Sequence, residues 1–251
     1  MPAMIEPKQS PRISVLMYHQ VGKFKVPKTH RSGYCDVGRF RTQMAWLKYA
    51  GYQVISLSDA YDALFGNRVL TRRSVVLSFD DGYENFADHA LPIMTEFGYP
   101  SVLFAVSGLL GHRAEWLTGD REKPLLLSGG RLRELRSSKV EIGSHTINHP
   151  RLSRLQPEQV WHEVADSKSA LENVLGEPVK FFAYPYGDYN PSVRDAVEKA
   201  GYLAALTCSR GPANTAPNAY EIPRKAISYG DSLMGFLWKL AFKNKRKDRY
   251  E

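Results

Sequence analysis

The chain has 251 residues, 43% of them hydrophobic and 24% charged, with a formal net charge of +8 at pH 7. That length and apolar content suffice for one full core. They exclude a disulfide scaffold, because only Cys35 and Cys208 are present and neither has a C-x-x-C partner, and they exclude a spanning helix, because no stretch approaches ~20 continuous apolar residues. Met1 to Arg12 forms a short polar extension with three prolines and no apolar centre like that of a signal peptide, so a cytoplasmic location is expected. Much of the positive charge lies between Lys243 and Arg249, which marks a basic tail rather than a basic fold, and no nucleic-acid partner is expected.

In chain order, apolar β-rich runs alternate with helical patterns. A strand is predicted at Ile13 to Tyr18 and a helix at Val37 to Ala50, closed by Gly51. Further strands are predicted at Tyr52 to Leu57, Ser74 to Phe79, Pro100 to Val106, Val140 to Gly143, Lys180 to Tyr184, Tyr202 to Thr207 and Ile222 to Ile227. Helices are predicted near 59–65, 84–97, 129–137, 157–175 and 191–200, the last two opened by Pro157 and Asn190-Pro191 and closed by Gly176 and Gly201. This alternation predicts an α/β fold, a distorted (β/α) barrel of seven or eight strands spanning residues 13–229, with a doubly wound open sheet as the alternative. Residues 230–251 add an apolar helical stripe of Leu233, Phe236, Leu237, Leu240 and Ala241 and then the basic run. That combination reads either as an anchor on anionic lipid or as a helix packed on the barrel with a solvated tail.

Both architectures place chemistry at the C-terminal ends of strands. The polar residues just past a predicted strand are His19, the pair Asp80-Asp81, Ser144 and His145 with His149 close behind, and the turn Tyr184-Pro185-Tyr186-Gly187. Four strands therefore aim reactive groups at one mouth. Adjacent carboxylates at the end of an apolar strand are costly unless a cation is held there. His145-Thr146-Ile147-Asn148-His149 lacks the glutamate of a helical zinc-protease motif, and Pro150 disfavours helix at His149, so a loop is expected. Two imidazoles and one carboxylate leave a coordination position open, as a catalytic metal requires, and suit zinc, cobalt, nickel or iron. Of the two aspartates, one would bind the ion and the other would take a proton from its water. His30, His89, His112 and His162 are read as solvated surface residues.

These motifs resemble those of the polysaccharide deacetylases, carbohydrate esterase family 4 with the NodB homology domain. Ser78-Phe79-Asp80-Asp81-Gly82 is similar to the T-F-D-D-G motif, His145 to His149 to H-[ST]-x-x-H, and Ala183-Tyr184-Pro185-Tyr186-Gly187 to R-x-P-[FY]-G. The resemblance implies that Asp80 is the general base, that Asp81, His145 and His149 hold a divalent metal ion, and that the Tyr186 backbone N–H helps form an oxyanion hole within the turn from Tyr184 to Gly187. The family's late L-H-D motif has no counterpart, since the last histidine is His162. The chain thereby resembles a permuted subgroup, including bacterial poly-N-acetylglucosamine deacetylases, in which an N-terminal histidine is the acid; here that is His19. Ala183 stands where many members have an arginine that orients the base, and Arg224 is the candidate to replace it.

The expected reaction is metal-dependent removal of an acetyl group from an acetylated amino sugar in a polysaccharide, oligosaccharide or lipid-linked glycan. An O-acetyl esterase and an inactive glycan-binding module are the rival readings. Tyr34, Tyr83, Trp116, Tyr186 and Tyr189 are candidate stacking residues for sugar rings.

Overall fold

The structure, a computed structural model, describes residues 11–27, 30–118, 122–242, 245 and 247. Most of the predicted N-terminal extension and Lys243, Asn244, Arg246, Asp248 and Arg249 of the basic run lie outside the described residues.

The first strand, β1 (Ile13–Tyr18), is wholly buried and runs parallel to its neighbours. It is followed by the short β2 (Gln20–Gly22) and β3 (Tyr34–Asp36), which pair with each other, and by α1 (Val37–Tyr49). Asp36 caps α1 by accepting from the N–H groups of Gly38 and Arg39 at 3.0 and 3.1 Å. Next come β4 (Gln53–Val54), α2 (Leu57–Phe65), β5 (Ser74–Phe79), α3 (Leu91–Phe97) and β6 (Ser101–Ala105). They are followed by α4 (Gly129–Leu135), β7 (Val140–Ser144), α5 (Pro157–Trp161), α6 (Ser167–Leu175) and β8 (Phe181–Ala183). The chain ends with α7 (Pro191–Lys199), β9 (Ala204–Arg210), β10 (Ile222–Ala226) and α8 (Leu233–Ala241).

The strands form a closed parallel barrel in the order β1-β10-β9-β8-β7-β6-β5, sealed by pairing of β5 with β1 along all six residues. The eighth strand, β4, is an addition: it pairs with Ser74 and Val75 at the start of β5, while β6 takes Ser78 and Phe79 at the end. Side chains of Val15, Val76, Phe104, Ala183, Leu206 and Ile222 belong to an inner cluster with Leu57 and Ala60 of α2, so α2 plugs the floor of the barrel. Leu16, Leu77, Phe79, Leu103 and Phe182, from the alternate positions, pack outward with the surrounding helices.

Two expectations are corrected here, and one is narrowed. The run Tyr52 to Leu57 is a strand only at Gln53–Val54, because Ser56 accepts from the Asp59 N–H at 3.0 Å and starts α2 two residues earlier than predicted. The helices predicted near 84–97 and 157–175 are interrupted by wide π turns at Phe86–Ala90 and His162–Asp166, a defect without a periodicity signature. The stripe on α8 faces inward, with Phe236 and Leu240 buried, except that Ala241 is exposed. Cys35 is buried and Cys208 half-buried, and neither forms a disulfide among the described residues.

Phe40 of α1 ties the outer layer to the barrel, meeting Tyr18 at 5.2 Å and Phe79 at 6.0 Å with no exposed surface. Phe40→Ala should cost about 3–5 kcal/mol, the usual range for emptying a buried aromatic site, measured as a shift in the urea unfolding midpoint.

Candidate active site

At the C-terminal ends of β5 and β7 the chain leaves the barrel through unusual backbone geometry. Among the described residues six non-glycines have positive φ, and four of them are Asp81, Thr146, His149 and Tyr186, with φ of 76°, 69°, 60° and 59°. Left-handed geometry costs side-chain-bearing residues roughly 1–3 kcal/mol each and clusters where function demands it. Here it turns Asp81 and His149 toward one point.

Asp80 continues the inward alternation of β5 and lies inside the mouth, 2% exposed. Its N–H donates to the Tyr18 carbonyl at 3.0 Å, which ties it to the residue before His19. Arg224, from β10, donates through both terminal nitrogens to the two carboxylate oxygens at 2.7 Å each, and through Nε to the Thr207 carbonyl at 2.9 Å. The structure thus brings to Asp80 a bidentate guanidinium from β10, on a different strand from Ala183. Burial acts to raise the Asp80 pKa, but Arg224, followed by His145 and His19, outweighs it and leaves the carboxyl below its ordinary value.

Asp81 and the two histidines form the second centre. Asp81 Oδ1 lies 3.4 Å from His145 Nε2 and 3.2 Å from His149 Nε2, all three groups being buried. Ligands held at about 2.0–2.1 Å around a tetrahedral ion sit roughly 3.4 Å from each other, so these atoms fit such an ion. Asp81 Oδ1 is buried without a hydrogen-bond donor, a state a cation would relieve. Among the described residues this trio is the group able to hold a metal. Burial raises the Asp81 pKa, but the His145 and His149 rings close to it overcome that and hold the carboxyl well below the usual range; burial lowers the pKa of His149 against the pull of Asp81. Ionised carboxylate and neutral imidazole are the forms that ligate.

The surroundings set the ligand orientations. His145 Nδ1 lies 2.7 Å from the carbonyl of Ala183, so that carbonyl fixes the His145 tautomer with Nε2 toward the site. His149 Nδ1 has no such partner; instead its ring is stacked on Trp116 at 4.4 Å and meets the edge of Tyr186 at 4.6 Å. The loop itself is held by Glu163, from the π turn between α5 and α6. This buried carboxylate accepts from the N–H groups of Ile147 and Asn148 at 2.8 and 3.0 Å and from the Asn148 side chain at 2.8 Å. Asp188 likewise accepts from Ser153 N and Oγ at 2.9 and 3.0 Å, joining the segment after His149 to the Tyr186 turn. In that turn a Cβ on Gly187 would lie 2.5 Å from Cys208, so only glycine fits.

His19 sits at the end of β1, close enough for its charge to act on Asp80, Asp81 and His149, and its Nδ1 is buried without a partner. Asn85 steadies the adjoining segment, donating to Gln20 at 3.0 Å and accepting from the Val21 N–H at 3.3 Å.

The structure therefore gathers His19, Asp80, Asp81, His145, His149, Tyr186 and Arg224, with the Pro185 to Gly187 backbone. It does not gather Tyr184: β8 alternation sends that ring outward, fully buried against Tyr189 and Phe182, with its hydroxyl donating to the Tyr220 carbonyl at 3.1 Å. Tyr189 stays with it. Tyr83 and Trp116 lie at the site, their rings 6.3 Å apart, while Tyr34 packs on Phe24. Sequence reading missed Glu163, which sits in an ordinary helical pattern, and Arg151, whose guanidinium lies 4.4 Å from the centre of the Tyr186 ring. His30, His89, His112 and His162 are exposed, His162 paired with Asp166.

A parallel barrel with a carboxylate–guanidinium pair beside an Asp-His-His centre defines a metal-assisted hydrolase scaffold. Residues 67–205 match the model of the polysaccharide deacetylase family, and the chain belongs to that family. It is 28% identical over 237 residues to YxkH of Bacillus subtilis, covering 93% of this chain and 78% of that one. It is also 28% identical over 228 residues to the poly-beta-1,6-N-acetyl-D-glucosamine N-deacetylase of Escherichia coli K12; 78% of this chain is matched, but only 34% of that longer protein. The solved structure of the Streptococcus pyogenes deacetylase PplD in complex with acetate superposes with a TM-score of 0.80 at 25% identity, covering 92% of this chain and 99% of that one.

Arg224→Met strands a buried carboxylate and should destabilise by about 3–5 kcal/mol at pH 7. Because the folded-state pKa of Asp80 lies below its unfolded value of ~3.9, the stabilisation it contributes is present above that pH and lost as pH falls through the folded value. The stability gap between wild type and variant should therefore persist from pH 7 down to about pH 4 and narrow as pH falls further, measured by urea unfolding. Glu163→Ala should weaken divalent-metal binding about 10- to 100-fold by calorimetry, with a smaller loss for Glu163→Gln, which keeps an acceptor for the backbone N–H groups.

Proposed function

We propose that this chain is a metal-dependent N-deacetylase of N-acetylated amino sugars within a glycan, with zinc as the ion at Asp81, His145 and His149. The observation that carries the reading is the division of labour between adjacent aspartates: Asp80 is held by Arg224, away from the ligand trio, and Asp81 belongs to that trio. The donor set, two imidazoles and one carboxylate, accommodates zinc as it does cobalt, nickel or iron, and zinc is the ion proposed among them.

The bound ion would supply Lewis-acid polarisation of the acetyl carbonyl and acidify the attacking water. Asp80 takes the proton of that water, its oxygens aimed by the bidentate Arg224. The turn at Tyr186 presents backbone N–H toward the developing oxyanion, a contribution of about 3–4 kcal/mol per well-placed donor. His19, protonated, gives its proton to the departing amine, and acetate and a free amino sugar remain. Tyr83, Trp116 and Tyr186 offer aromatic surface to the sugar. The names of the relatives support an N-acetylglucosamine polymer as the glycan.

Asp80→Asn should abolish acetate release while zinc remains bound, and His19→Ala should reduce kcat with little change in KM. Both are read with N-acetylglucosamine oligomers and, in parallel, an O-acetylated xylan. Wild-type turnover of the ester alone would assign an O-acetyl esterase, and full activity in Asp80→Asn would overturn the assignment of the base.

A further inference from the structure

α8 carries two apolar faces, and only one is spent on the barrel. Phe236 and Leu240 turn inward, Phe236 meeting Trp46 edge-on at 6.3 Å. Met234, Trp238 and Phe242, each four residues from the next and so on one side, are 73%, 55% and 68% exposed. Trp238 and Phe242 stack at 4.6 Å, forming a continuous aromatic surface in water. No helix among the described residues is long and apolar enough to cross a membrane, so a surface of this kind lies along an interface or is covered by a partner.

Charge tells which. At the C-terminal end of α8, Arg12 and Arg73 line a cavity together with Leu240 and Ala241, and no carboxylate is among its lining residues. Arg73, Lys245 and Lys247 are exposed, and Lys247 pairs through its backbone with the exposed Arg210 at 2.7 and 2.8 Å. The one basic residue of α8 itself, Lys239, is turned to Asp231 and the Ala226 carbonyl and is already paired.

We propose that this face docks on an anionic lipid bilayer, with Met234, Trp238 and Phe242 entering the boundary between headgroups and acyl chains and the cations around the end of α8 meeting lipid phosphates. A second copy of the chain would set like charges against each other, and a nucleic acid would leave Met234 in water; a bilayer satisfies both halves of the surface. The docking is independent of the catalytic reading, because none of these residues belongs to the active site.

The test is co-sedimentation of the full chain with phosphatidylcholine vesicles, with and without about 30 mol % phosphatidylglycerol. Binding to the anionic vesicles alone is expected, reversed by ~0.5 M NaCl and weakened about tenfold or more in Trp238→Ser/Phe242→Ser. Arg73→Gln should weaken it by a smaller factor. Circular dichroism and acetate release from a soluble oligomer should be unchanged in the double variant, which excludes misfolding as the cause. Absence of binding to the anionic vesicles, equal binding by the double variant, or salt-sensitive binding to RNA but not to vesicles would each overturn the proposal.

Discussion

Two carboxylates buried side by side at the end of one strand are the constraint around which this molecule is arranged. Asp80 and Asp81 are both buried away from bulk solvent, and each is compensated differently. For Asp80 the solution is a fully buried guanidinium that reaches it across the barrel from β10 and is itself held by the Thr207 carbonyl. For Asp81 the compensation is left to a cation, because its Oδ1 faces the two imidazoles that follow β7 at 3.4 and 3.2 Å and has no hydrogen-bond donor. Because the two solutions come from different strands, the barrel must close accurately for either to work, and catalysis is coupled to the pairing of β1 with β5 and β10.

Much of this was legible in the chain and some was not, for identifiable reasons. Strand positions were readable because β-branched runs at Val15, Val75-Val76 and Val102 alternate with polar strand ends, and the barrel follows from that alternation. The ligands were readable because Asp81, His145 and His149 sit on short local motifs. Arg224 could be named only as a candidate, since its contact with Asp80 spans 144 residues and leaves no local spacing. Glu163 was invisible because a carboxylate in a helix is ordinarily a solvated one; only the π turn that redirects it inward reveals its task. Tyr184 misled because proximity to Tyr186 in sequence says nothing of face, and one step along β8 reverses it.

The supports of the metal trio differ in kind. His145 is oriented by a backbone carbonyl, which cannot be mutated away, whereas His149 relies on Trp116, Tyr186 and a loop clamped by Glu163. Variation among related chains at Trp116 or Glu163 would tune the second imidazole while leaving the first in place. The strained φ values at Thr146 and His149 point the same way, since a loop held away from its relaxed shape needs external anchors to stay there.

The plug that α2 makes in the barrel floor bears on the route by which substrate and products pass. With Leu57 and Ala60 closing the lower end, substrate and both products share a single opening. In the proposed reaction the acetyl group enters first and lies deepest, beneath the sugar that carries it. Acetate formed there leaves through the same mouth, so added acetate would enter it and compete with fresh substrate.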